Sequence, residues 1–138
     1  MNRLWVDANV ILRFLTKDPP DMSDQAARLV EAVQEGKYRL FVPVLVLAET
    51  VWVLKSFYGH SRQEIRDVLS ALITASEVDV EEAQTVLQAL QLSASRNVDF
   101  VDAYLAVRAK EAGEQVCTFD ESDFKRLPAR WSTPGQLI

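Results

Sequence analysis

Residues 3–16 read RLWVDANVILRFLT. Residues 3–8 form a short apolar run and read as a buried strand. Residues 9–16, NVILRFLT, follow at once and read as a short helix. A strand passing directly into a helix is half of a βα unit, and the pattern repeats outward along the chain. KDPPDMSD is a connector marked by Pro19 and Pro20, after which Ser23 or Asp24 caps QAARLVEAVQEG. In that helix Ala26, Leu29, Val30 and Val33 form an apolar stripe, and Gly36 ends it. YRLFV is a second strand, and Pro43 then opens a helix that Gly59 closes. SRQE, residues 61–64, is a capping box for a helix running to about Ala75. EVDV is a weak strand, EEAQTVLQALQLSAS a helix, and FVDAYLAVRAKEAG a helix opened by Asn97 or Asp99 and closed by Gly113. QVCTF is a buried strand, with Cys117 a small buried member, and WSTP a short last one. Strands alternating with helices predict an α/β fold with a parallel sheet covered on both faces. With no repeat and no linker, residues 1–138 are expected to form one domain.

The bulk properties exclude several function classes. Half the residues are apolar (49%) and a quarter charged (25%), an ordinary globular composition. No basic-then-apolar leader and no apolar run of about 20 residues are present, so neither secretion nor a membrane span is expected. The single cysteine excludes an internal disulfide and fits a reducing cytoplasm. A net charge of −5 argues against a broad basic surface for bulk nucleic-acid binding.

Most of the acids lie on helix faces, where charge is ordinary. Four do not fit that account. Asp7 ends an apolar strand just before Asn9 and a helix start; an N-cap and a site residue are both open readings. Glu49 stands inside VPVLVLAETVWVL, residues 42–54, which reads as a buried helix. A carboxylate buried there needs a partner or a cation. Asp102 lies inside its helix with Ala106 and Ala109 along the same face, whereas Asp99 sits at the helix start. Asp120 ends VCTFD, with Asp123 close behind. In a parallel sheet, sites form beyond the C-terminal ends of the strands, where Asp7 and Asp120 both fall.

Four converging carboxylates repel one another unless a cation sits among them, and oxygen donors suit Mg²⁺ or Mn²⁺. One His and one Cys, far apart in sequence, disfavour zinc. A single His excludes a two-histidine ribonuclease mechanism within one chain, and no Walker loop or GxGxxG is present. An acid-lined cation site without a nucleotide loop points to hydrolysis of a phosphodiester. Two rivals belong to other classes: an aspartyl-phosphate phosphatase or phosphoacceptor domain with Asp7 as nucleophile, and an inactive binding module. The first leaves Glu49 unexplained; the second leaves costly acids without a use.

The stretches LWVDANVILRFL, VPVLVLAETVWVLKSFYG, NVDFVDAYLAVRAKEAG and VCTFDESDFKRL span almost the whole chain. With their ordered acids, they make the chain resemble the PIN-domain family, and within it the VapC-type toxins. The resemblance implies a three-layer α/β/α sandwich with a central parallel sheet and a Mg²⁺- or Mn²⁺-dependent ribonuclease. It implies Asp7, Glu49 and Asp102 as core acids and Asp120 as the fourth, with Asp123 competing for that place. It puts Asn9 and Thr118 near the site. It further implies a homodimer, and a VapB-type antitoxin that fills the site's groove with an Arg or a bulky residue. A housekeeping PIN-domain nuclease for RNA maturation shares the same chemistry. Arg13, Lys17, Arg108, Lys125 and Arg126 are candidate guides for the RNA backbone.

Overall fold

In the computed structural model, which describes residues 2–138, every strand pairing is parallel. Strands β1 (Asn2–Trp5), β2 (Tyr38–Val42) and β3 (Val78–Val80) pair in that order, with Leu4 opposite Leu40 and Leu40 opposite Val78. The short β4 (Val116–Cys117) and β5 (Trp131–Ser132) form a separate parallel pair. Among the described residues, eight helices accompany these strands, in keeping with a three-layer α/β/α sandwich.

The first βα unit forms as its sequence suggests. After β1, Val6 is buried and Asp7 turns the chain by capping helix α1 (Ala8–Thr16), its Oδ1 accepting the Val10 N–H at 3.1 Å. Helix α1 packs on α2 (Pro20–Gln34) and α3 (Val44–Ser56). Helix α2 starts earlier than the caps Ser23 and Asp24 suggested, because Pro20 itself occupies the first turn, where its missing N–H is no loss. Between β2 and β3 run α3 and α4 (Arg62–Ile73), the latter with both hydrogen bonds of its capping box in place. Helices α5 (Ala83–Arg96) and α6 (Phe100–Ala112) follow as an antiparallel pair joined through Asn97, and Gly113 closes α6 with a φ of 70°. Two helices of a single turn, α7 (Glu121–Phe124) and α8 (Pro134–Leu137), were not expected from the sequence.

The core lies where α1, α2 and α4 meet the face of the sheet that carries Val6, Leu40, Val42 and Val78, and it continues through Leu47, Leu69, Val86, Leu90 and Phe100. The opposite sheet face is different in character. Trp5 (68% exposed) packs on Phe41 with ring centroids 4.4 Å apart, Arg3 lies over Phe41, and Arg39 pairs with Asp79 at 2.6 Å.

Two expectations about burial are corrected. Helix α3 is not buried all round: Leu47, Thr50, Val51 and Leu54 face the core, while Leu45 (83% exposed), Glu49 and Trp52 (66%) face outward. Spaced four and three residues apart, these three share one outer stripe, so an apolar sequence here marks an unburied face. Cys117 is exposed, because β4 is two residues long and ends the ladder at its side chain.

Candidate active site

Three carboxylates are brought together by two local devices. Helix α6 starts at Phe100, which puts Asp102 in its first turn, where the peptide dipoles favour a negative charge. Phe100, Ala103 and Ala106 are buried and fix the roll of the helix, leaving Asp102 half-buried at its edge. The second device is the turn after β4. The Thr118 hydroxyl accepts the Asp120 N–H at 2.9 Å, and Asp120 Oδ1 accepts the Asp123 N–H at 3.0 Å. Buried Phe124 anchors that turn in the core. As a result, Asp102, Asp120 and Asp123 each offer an oxygen within 4.8 Å of the other two.

Asp123 is the most firmly held of the three. Its Oδ1 accepts from Arg126 Nη2 at 3.0 Å and its Oδ2 from the Asp99 N–H at 3.3 Å. Arg126 is fixed in turn: Nη1 donates to the Arg96 carbonyl at 3.2 Å, while Arg96 Nη1 donates to the Arg126 carbonyl at 3.0 Å. This reciprocal clasp ties the end of α5 to the segment after α7. Asp99 binds Asp123 through its backbone, while its side chain makes no cap hydrogen bond.

The electrostatics report the crowding. The Asp102 carboxyl is pushed up to about 6, first by burial, then by its hydrogen bond with Asp123, then by the charges of Asp99, Asp123 and Asp120. Three acids at this separation stay ionised together only with a positive partner, and Arg126 supplies one charge from one side. The donors are all carboxylate oxygens, half or fully open to solvent, which fits a hard divalent cation such as Mg²⁺ or Mn²⁺.

Asp7 and Glu49 stand outside this cluster. Asp7 is exposed and opens on a cleft of about 380 Å³ beside Asn9, Arg13, Met22 and Gln25. Glu49 opens on a second cleft, of about 400 Å³, beside Asn9, Arg13, Asp18, Phe57 and Tyr58. Asn9 and Arg13 border both, so the two acids flank the same arginine. Thr118 acts on the cluster by orienting Asp120. Of the candidate guides for RNA, Arg108 is committed to Glu82 at 2.7 Å, and Glu82 also accepts from Tyr104 at 2.6 Å. The roles of Arg126 and the Asp99 backbone were not visible in the sequence; an i,i+3 acid–base spacing from Asp123 to Arg126 was the available signal.

The family model for the PIN domain matches residues 4–130. A VapC ribonuclease of Aquifex aeolicus (strain VF5) is 28% identical over 130 residues, covering 94% of this chain and 95% of that protein.

Proposed function

The chain belongs to the PIN-domain family, and from that premise we propose that it is a divalent-metal-dependent endoribonuclease, the toxin of a VapBC-type pair, working as one domain over residues 1–138. The observation that carries the reading is the set of three carboxylates within 4.8 Å of one another, one of them pushed up to about 6. Asp102, Asp120 and Asp123 would hold Mg²⁺ or Mn²⁺, with Asp7 and Glu49 as the further acids of the site. Bound there, the cation supplies an ionised water and neutralises charge on the departing oxygen. The reaction is hydrolysis: water oxygen bonds to phosphorus as the P–O3′ bond breaks, leaving a 5′-phosphate and a 3′-hydroxyl. Arg126 aims Asp123 at the cluster, and Thr118 holds the turn that presents Asp120.

Two surface features support the partners. An apolar cavity of about 410 Å³ between α1, α2 and α4 adjoins the Asp7 cleft through Val10, Ala26 and Leu29. It suits an apolar segment of an antitoxin whose basic side chain reaches Asp7. The outer stripe of α3, with Leu45 and Trp52, suits a homodimer contact. Among the described residues, no helix is long and apolar enough to cross a membrane.

The test is RNA cleavage by the purified protein with Mn²⁺ and with EDTA, followed by mapping of the product ends. Metal-dependent cuts leaving 5′-phosphates are expected; full activity in EDTA would overturn the proposal. Growth arrest on expression, relieved by the product of the neighbouring gene, separates a toxin from a maturation nuclease.

A further inference from the structure

Resting on the ribonuclease reading, we propose that the cleft between α1 and the C-terminal end of α3 seats one unstacked nucleobase of the RNA, with a preference for guanine. The cleft, of about 400 Å³, is concave and open to solvent on one side. Its aromatic wall is Phe57 and Tyr58, rings 4.9 Å apart and near edge-on at 73°. Phe57 is 78% exposed, so a large apolar ring stands in water with none of the described residues covering it. Unpaired RNA bases stack on such rings whatever their sequence.

The polar wall gives the preference. Arg13 spends only Nη1 on visible hydrogen bonds, to the Asp18 carbonyl at 3.1 Å and to the Tyr58 hydroxyl at 3.4 Å. Its Nε is buried and out of a guest's reach, whereas Nη2 is neither buried nor hydrogen-bonded among the described residues, leaving the Nη1–Nη2 edge open to the cleft. A guanidinium with donors to spare suits a base edge that offers two adjacent acceptors, and guanine O6 and N7 form that edge. Adenine places a donor beside N7, and the pyrimidines lack N7. A phosphate is the poorer guest, because Arg13 shares the cleft with the acids Asp18 and Glu49. Glu49, one of the further acids of the proposed function, lines the same cleft as the seated base.

The test uses the intact protein in EDTA, where cleavage is stopped, with short labelled oligouridylates carrying one central guanosine, one adenosine, or neither. Fluorescence anisotropy should show the guanosine oligomer binding about tenfold tighter than the other two. Phe57→Ala should weaken all three about tenfold. Arg13→Lys should abolish the guanosine preference, bringing the three oligomers to within about twofold of one another. Equal affinity for the three oligomers overturns the proposal. So does unchanged RNA binding by Phe57→Ala with loss of a dimer in sedimentation, since a second copy would then cover the ring. A base preference without any Mn²⁺-dependent cleavage sinks the ribonuclease reading and leaves the seat standing; cleavage without a preference does the reverse.

Discussion

The acids near α6 and those near α1 solve the same electrostatic problem in opposite ways. Asp102, Asp120 and Asp123 crowd within 4.8 Å, with one arginine bound at their edge. Asp7 and Glu49 open on separate clefts that share Arg13 between them. Burial first, and then the neighbouring acids, leave Asp102 pushed up to about 6, which suits the first group to the proposed cation. Spacing acids around a guanidinium leaves the second group suited to polar ligands. The proposed cation site and the proposed substrate-contacting surface thus differ in how closely their like charges approach.

Metal binding offers the sharpest way to break this comparison. Asp102→Asn should lower Mn²⁺ affinity by about 100-fold or more in calorimetry, since it removes one of three ligands. Glu49→Gln should cost far less. Equal losses in the two variants would mean that both groups close on one cation. Arg126→Ala comes next, with an expected loss of about tenfold in Mn²⁺ affinity, because Asp123 loses the partner that orients it. Arg96→Ala cuts only the other arm of the clasp and serves as the structural control.

Acidity tests the crowding itself. Because Asp102 holds its proton more tightly when folded than its ordinary value of 3.8, the fold binds more protons than the unfolded chain between those limits. Its contribution to stability is full below pH 4 and disappears as pH rises through about 6. Thermal melts in EDTA should show this loss, and Asp102→Asn should remove it. Mn²⁺ affinity should climb over the same range as the proton leaves. The smallest effect belongs to the spaced acids: Asp7→Ala removes the α1 cap and should cost about 1 kcal/mol in denaturant unfolding, while Asp7→Asn keeps the cap and costs little.

Local signals carried much of the fold. YRLFV became β2 to the residue, and SRQE made a full capping box, because both depend on neighbours in sequence. Asp102 and Asp120 stood out as site candidates on local signals too: one lies inside its helix with Ala106 and Ala109 along its face, the other ends a strand. Burial was harder to read. Glu49 looked enclosed because its helix is apolar, but hydropathy does not say which side of a helix another chain or the solvent meets. The Arg96–Arg126 clasp joins backbone carbonyls across 30 residues of sequence, a relation that no spacing rule encodes.

Asp120 and Asp123 share one turn, so only one long-range distance, from that turn to α6, has to be right. A cation at the cluster would therefore act as a removable cross-link, closing the chain between residues 102 and 120 into a loop. Amide exchange in β4 and β5 inside and beyond that loop should slow when the ion binds and quicken when it is withdrawn. The C-terminal segment, already held by Phe124 and the Arg96–Arg126 clasp, would be fastened more tightly while the site is loaded.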